Sequence, residues 1–210
     1  MRRSLRVRRR RHLILSAYRL FEKADTPVFE VKMVRGRWQW RQGNLQKANI
    51  AAIKQVNRWA LDRVNIPNLV AVGTFKPLIG KSFEPHWVCQ IHEIVAGTER
   101  SGLTRAFRFK GVKSDMFAST TIIEEVKDLA QTISSVFRAN VQGWYHPVPP
   151  DDNPMEPTIA HREEFYHWLP TLHFGERLVR YGCDQDLKPL KKKPPKLIRK
   201  PQPKWSTKFS

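Results

Sequence analysis

One segment of this 210-residue chain carries polar residues with the spacing of a metal site. Gln90 and His92 stand two positions apart in the apolar run 87–96, WVCQIHEIVA. Alternate residues of a strand lie on one face, about 7 Å apart, so both side chains would point the same way. With Glu84 or His86 from the preceding loop, they would form an oxygen and nitrogen site for Mg²⁺ or Mn²⁺. The alternative is that His92 is a sheet-face histidine whose hydrogen bonds are satisfied without a metal.

A second candidate for chemistry is Tyr166, which lies among histidines and acids in HREEFYHWL, residues 161–169. A tyrosine beside a base is a candidate nucleophile. The alternative is an amphipathic helix whose Phe165 and Trp168 pack in a core, with no catalytic role. The sequence contains no phosphate-binding glycine loop and no zinc-spaced set of Cys and His, and its two cysteines make no disulfide framework.

The net charge of +19 is concentrated at the two ends of the chain. Residues 1–12 contain seven arginines and residues 187–210 contain nine Lys and Arg, without an acid in either segment. Residues 13–186 hold the other 22 basic residues against 19 acidic ones, a net charge of +3. Clustered charge of one sign predicts disordered basic arms that bind a polyanion. Nucleic acid is the expected polyanion, because each neutralised phosphate releases counterions.

Basic residues alternate with aromatic ones in the segment 97–114, as on surfaces that bind single-stranded nucleic acid. An edge strand with ordinary solvated charges is the alternative. The predicted nucleic-acid-binding residues come from this segment, from the helix 45–64 and from both arms. They are Arg100, Arg105, Phe107, Arg108, Phe109, Lys110 and Lys113; Lys54 and Arg58; Arg8, Arg9, Arg10 and Arg11; and Lys191, Lys192 and Lys193.

The elements that would position these residues follow the order strand, helix, strand, strand, strand, helix. Hydrophobic periodicity predicts strands over 28–34, 68–75, 87–96 and 119–126, and helices over 45–64 and 127–141. This order predicts an α+β fold, a ferredoxin- or palm-like antiparallel sheet with helices on one face. The predicted divisions are a basic N-terminal arm and lead-in (1–24), a nucleic-acid-binding core (25–143), a proline-rich loop with a helical appendix (144–186) and a disordered basic tail (187–210).

The segment 70–97 resembles the centre of the HUH endonucleases, the superfamily of rolling-circle replication initiators, relaxases and certain transposases. In that family a strand carries His-hydrophobe-His, which binds a divalent metal, and a tyrosine on a later helix attacks the phosphodiester. Here Gln90-Ile91-His92 takes the metal-binding position with one imidazole replaced by an amide, and Lys76 stands where an acidic ligand is expected. The likeness, over about residues 28–141, aligns Ser135 with the tyrosine and implies degenerate catalytic motifs.

These observations favour a nucleic-acid-binding protein, specifically a replication-initiator-like or transposase-like DNA-binding protein of a mobile element. One alternative is an RNA-binding or ribosome-associated protein, and another is an active metal-dependent single-strand DNA endonuclease. DNA is favoured over RNA as the partner. A membrane partner is not expected, since no stretch approaches the roughly 18 apolar residues of a membrane span. The expected location is the bacterial cytoplasm or nucleoid.

Overall fold

A six-stranded, mainly antiparallel sheet flanked by helices forms the protein, which confirms the α+β class. The computed structural model describes residues 2–80, 86–108, 120–138, 142–144, 157–184 and 187–188. The strands are β1 (Phe29–Arg41), β2 (Val70–Gly80), β3 (His86–Ala96), β4 (Thr120–Glu125), β5 (Gln142–Trp144) and β6 (Leu178–Tyr181). The helices are α1 (Arg2–Glu22), α2 (Ile50–Val64), α3 (Arg100–Ala106), α4 (Leu129–Val136), α5 (Ile159–Trp168) and α6 (Phe174–Arg177).

The centre of the sheet has the strand order β4-β1-β3-β2, with every neighbouring pair antiparallel. This is the split β-α-β arrangement expected of a ferredoxin-like fold, with α2 and α3 as the crossover helices. The outer edge of β2 is shared by two short strands. β5 pairs in parallel with Leu78–Gly80, and β6 pairs antiparallel with Ala71–Thr74.

Helices cover both faces of the sheet, whereas the sequence predicted helices on one face. On one side, here called the α2 face, α2, α3 and α5 pack against the odd-numbered residues of β2 and β3, such as Phe75 and Ile91. On the other side, the α1 face, α1 and α4 pack against even-numbered residues, such as Val72 and Ile94. The second layer forms because β2 and β3 have apolar residues at both odd- and even-numbered positions. Either face of these strands would expose a hydrophobic surface if no helix covered it.

The predicted disordered N-terminal arm is wrong in the structure, where residues 2–22 form the continuous helix α1. Ala17 and Phe21 are buried on the α1 face and fix the C-terminal half of this helix. Because adding a residue to an existing helix costs far less than nucleating one, the arginines before them continue the same helix. None of the described helices has an apolar stretch of the length needed to cross a bilayer.

Residues 157–184 also belong to the core, although the sequence predicted a helical appendix there. Phe165 and Trp168 of α5 join the buried cluster on the α2 face. Glu164 of the same helix accepts hydrogen bonds from the backbone N–H groups of Gly43 and Leu45 and from the Trp87 indole, each at 2.7 Å. One carboxylate therefore ties α5 both to the connection before α2 and to β3. The predicted tail, apart from residues 187–188, lies outside the described residues.

Replacing Glu164 with alanine should destabilise the protein by about 3 kcal/mol, because three N–H donors lose a charged acceptor. Denaturant unfolding followed by tryptophan fluorescence measures this change. Glu163→Ala is the matched control, since Glu163 is an exposed neighbour on the same helix and its loss should cost less than about 0.5 kcal/mol. Equal destabilisation by the two variants would contradict the role given to Glu164.

Glu93 is a fully buried carboxyl beneath α2, on the face opposite to its neighbour His92. Asn57 of α2 donates a hydrogen bond to its Oε2 at 2.9 Å, and no described residue bonds to its Oε1. Gly73 leaves the room for this side chain, since a Cβ at that position would lie 2.3 Å from the Glu93 Cβ. Burial raises the pKa of Glu93 to about 7, against a smaller lowering by the Asn57 hydrogen bond.

The raised pKa predicts that the protein loses stability as the pH rises from about 4.5 to 7. Over that range Glu93 ionises in the unfolded chain but stays largely protonated in the folded one. The free energy of unfolding therefore falls by an amount on the order of 3 kcal/mol once the pH has passed 7. Glu93→Gln should remove this loss, and the exposed Glu125→Gln should keep it. The measurement is urea unfolding at a series of pH values. A parallel fall in Glu93→Gln and wild type would refute the assignment.

Candidate functional site

His92 lies at the middle of β3, opposite Lys32 of β1 and Thr74 of β2, and its side chain is on the α1 face. Its Nε2 is 2.5 Å from Oε1 of Glu30, and its Nδ1 is 2.8 Å from Nζ of Lys76. Because the ammonium can only donate, Nδ1 accepts from Lys76 and Nε2–H donates to Glu30. The three strands therefore hold a Glu30–His92–Lys76 chain of hydrogen bonds.

Lys76 connects this chain to α4. Its side chain is buried, and Nζ also donates to the backbone carbonyl of Ser135 at 2.7 Å. Thr74, on the same strand face, donates to the carbonyl of Val136 at 2.6 Å. Both carbonyls belong to the last turn of α4, where the helix dipole places partial negative charge and favours a cation. The C-terminal end of α4 is thus held on the sheet by two polar contacts.

The charge states in the chain follow from burial and from these contacts. Burial raises the pKa of Glu30, but hydrogen bonds from His92 and Lys32 outweigh it and bring that pKa down to about 2. Burial lowers the pKa of Lys76 to about 8, against the opposing effect of Glu30. Burial also lowers the pKa of His92, which the hydrogen bond to Glu30 partly offsets. At neutral pH the chain is therefore carboxylate, neutral imidazole and ammonium.

Further cations surround Lys76 on the α1 face. Lys32, Arg138 and Arg177 each lie close enough to lower its pKa, and Arg10 of α1 acts in the same way on Arg177. The carboxylate of Glu30 is already engaged by His92 and by a 2.9 Å ion pair with Lys32. The site therefore has an excess of positive charge next to a buried surface, which suits an anionic ligand.

Two of the three predicted metal ligands, Gln90 and His92, lie within the described residues. Both ring nitrogens of His92 are engaged by Lys76 and Glu30, so no lone pair faces a metal ion. Gln90 is buried at the position opposite Lys76 on β2, and Glu84 lies outside the described residues. Across the described ranges, no three His, Cys, Asp or Glu side chains are grouped as metal ligands. The sheet-face histidine with satisfied hydrogen bonds, the alternative drawn from the sequence, is what the structure contains.

The two candidate nucleophiles, Ser135 and Tyr166, lie in different parts of the structure. Ser135 is next to the chain of hydrogen bonds, but the group that contacts it is the Ser135 carbonyl oxygen rather than the hydroxyl. Tyr166 lies on α5, the α2-face helix, is 60 % exposed and makes an edge contact with Phe165. The structure therefore places Tyr166 and His92 on opposite faces of the sheet.

Several predicted nucleic-acid-binding residues are exposed as expected and others are not. Arg8, Arg9, Arg11, Arg58, Arg100, Arg105 and Arg108 are exposed, and Arg10 is half-buried. The predicted aromatic contact Phe107 is wrong, because it caps α3 and is buried in the core. Lys54 donates to the carbonyls of Gly175 and Glu176, so its ammonium holds α6 on α2. Phe109, Lys110, Lys113, Lys191, Lys192 and Lys193 lie outside the described residues.

The sequence did not indicate Glu30 and Arg177 as members of the site. It placed Lys76 where an acidic metal ligand was expected. The available signal was the position of Lys76 within an otherwise apolar strand, since a buried lysine needs partners. Trp59 was also not among the predicted nucleic-acid-binding residues. It is 56 % exposed on α2, beside the exposed Arg58. Comparisons with protein-family models, with curated protein sequences and with solved structures found no match to this chain.

Glu30→Gln should flatten the acid-induced loss of stability. The lowered pKa of Glu30 gives stability that is complete above about pH 4.5, the pKa of an unfolded glutamate, and is lost as the pH falls through 2. Denaturant unfolding between pH 5 and pH 2 tests this. Glu124→Gln is the control, because Glu124 contacts Lys32 at 3.8 Å but is exposed. If the Glu30 and Glu124 variants show the same acid dependence as wild type, the hydrogen-bond chain does not stabilise the fold.

Proposed function

We propose that this protein binds nucleic acid through α1 and the α1 face. The observation that most supports this proposal is the run of arginines at positions 8–11, on a helix that Ala17 and Phe21 fix to the sheet. Arg8, Arg9 and Arg11 of this run are exposed. Arginines on a held helix can contact phosphates with less loss of conformational entropy than arginines on a flexible arm.

The site beneath α1 adds to the same field. Lys76 and Arg177 are buried on this side of the sheet, where the low-dielectric interior screens their charges less than water would, and the exposed Arg138 lies near Lys76. These cations therefore add to the positive potential of the exposed arginines of α1. A polyanion is the partner that this arrangement favours.

A second basic surface lies at α3, where Arg100, Arg105 and, just after the helix, Arg108 are exposed. The burial of Phe107 removes the aromatic platform that the sequence predicted among them. We therefore give α3 a supporting part, through phosphate contacts alone. The exposed Trp59 on α2, next to Arg58, is an aromatic side chain that can stack on a base, and like α3 it belongs to the α2 face, on the other side of the sheet from α1.

The favoured partner is DNA, and the favoured class is a replication-initiator-like or transposase-like binding protein of a mobile element. The resemblance of residues 70–97 to HUH endonucleases supports this choice, and the ferredoxin-like strand order agrees with it. Binding without nicking is supported by the engagement of both His92 nitrogens. A DNA-binding protein of this kind would act in the bacterial cytoplasm or at the nucleoid.

The triple variant Arg8→Gln, Arg9→Gln, Arg11→Gln should weaken binding to a labelled single-stranded DNA and reduce its salt dependence. Each lost phosphate contact lowers the slope of log K against log salt by about 0.7, so the full change is about 2. The charge-matched control is Arg100→Gln, Arg105→Gln, Arg108→Gln on α3, which should change the slope less. Equal effects would mean that net charge, and not the α1 helix, determines binding.

Two further arms test the choice of DNA and the loss of nicking. Unlabelled RNA of the same sequence should compete less well than the DNA, and better competition by RNA would favour the RNA-binding alternative.

Incubation of labelled single-stranded DNA with Mn²⁺ should give no covalent adduct on a denaturing gel. An adduct that Tyr166→Phe abolishes would instead establish the endonuclease alternative.

A further inference from the structure

Arg177 is a buried guanidinium with an unused donor. It is the last residue of α6 and precedes Leu178, which pairs with Thr74 of β2. Its side chain exposes 9 % of its surface, and no described residue accepts a hydrogen bond from its Nε. A buried charge that lacks an acceptor is costly, so such groups normally have a partner.

A second arginine in the same state reaches this place from α1. Nε of Arg10 is buried and has no acceptor among the described residues. Burial and, to a smaller extent, the neighbouring guanidinium of Arg10 together lower the pKa of Arg177 to about 10. Two like charges from different elements therefore lie close enough to repel each other, and an anion between them would relieve that repulsion.

Two acceptors close to Lys76 are already used. The carboxylate of Glu30 takes its hydrogen bonds from His92 and Lys32, and the Ser135 carbonyl takes one from Lys76. Arg138, which follows the same last turn of α4, contributes another cation rather than an acceptor. Neither Nε of Arg177 nor Nε of Arg10 has an acceptor in the part of the chain that the structure describes.

We infer that Arg177 and Arg10, with Lys76 and Arg138 beside them, bind a phosphate group. Guanidinium groups recognise phosphate oxygens through directed, charge-assisted hydrogen bonds, and an ammonium adds a point charge. The source of the phosphate rests on the proposed function, which makes it a nucleic-acid phosphate. A small phosphorylated molecule would present the same chemistry.

The test is a thermal-unfolding titration of the full chain with inorganic phosphate, against sodium chloride at equal ionic strength. Wild type should gain a saturable rise in Tm, since the anion binds the folded state. Arg177→Gln should weaken the apparent affinity for phosphate at least tenfold. Without phosphate it should melt above wild type, because it removes an unpartnered buried charge. Arg41→Gln, which changes an exposed arginine at the end of β1, should behave as wild type.

The inference is overturned if wild type shows no phosphate-specific rise, or if Arg177→Gln keeps the full response. A merely structural arginine would give a variant that melts below wild type without phosphate, which also counts against the site. Should Arg177→Gln fail to fold, Arg10→Gln decides by the same criteria, since Arg10 is half-buried and lies on a different element.

A final comparison identifies the source of the phosphate. Oligonucleotides with a 5′-phosphate and with a 5′-hydroxyl are titrated in turn, and the phosphate response is measured in their presence. Competition by the 5′-phosphate alone supports a terminal phosphate as ligand, and competition by both supports a backbone phosphate. If neither oligonucleotide binds while inorganic phosphate still does, the proposed function fails and the phosphate site stands, with a small molecule as its source.

Discussion

Burial of β3 on both faces is the constraint on which the rest of the structure depends. Every residue from His86 to Ala96 is buried, yet the strand contains Gln90, His92 and Glu93. Because successive side chains alternate, His92 and Glu93 enter different helical layers and must be satisfied by different elements. His92 takes its partners from β1 and β2, whereas Glu93 takes its partner from α2. One central strand thus determines the polar contacts of both layers.

The layer on the α1 face depends most on these polar contacts. Its apolar contribution is smaller than that of the α2 face, with Ala17 and Phe21 of α1 and two buried residues of α4. Lys76 and Thr74 hold the carbonyl end of α4 on the sheet, and α1 packs on α4. The buried ammonium is therefore both a structural contact and a source of charge. Positioning α1 in this way is what brings its arginines next to the body of the protein.

The sequence predicted the fold better than the site, for a physical reason. Periodicity and turn residues located the four central strands, α4 and the region of α2, because those signals are local. The layer on the α1 face was missed, although β2 and β3 are apolar at both parities and so require cover on two sides. The apolar run before Glu22 was interpreted as the lead-in to a flexible arm, when it is the part of α1 that docks.

The hydrogen-bond chain could not be located from the sequence, because it joins residues that are distant in the chain and depends on strand register. Glu30 and His92 are 62 positions apart, and Lys76 reaches His92 from a third strand. A shift of one residue in any pairing would move each side chain to the other face. The pattern Gln90-Ile91-His92 drew attention to His92 but could not indicate its partners, which use both nitrogens of the ring.

The helical state of α1 changes what its arginine run can do. On a flexible arm, four consecutive arginines would be equivalent, and each would follow whichever phosphate was nearest. On a helix, successive side chains turn by about 100°, so Arg8 and Arg11 share one side while Arg10 turns toward the sheet. Its partial burial is the observed result. The fold therefore divides one basic run between an outer surface and an inner cluster that includes Arg177.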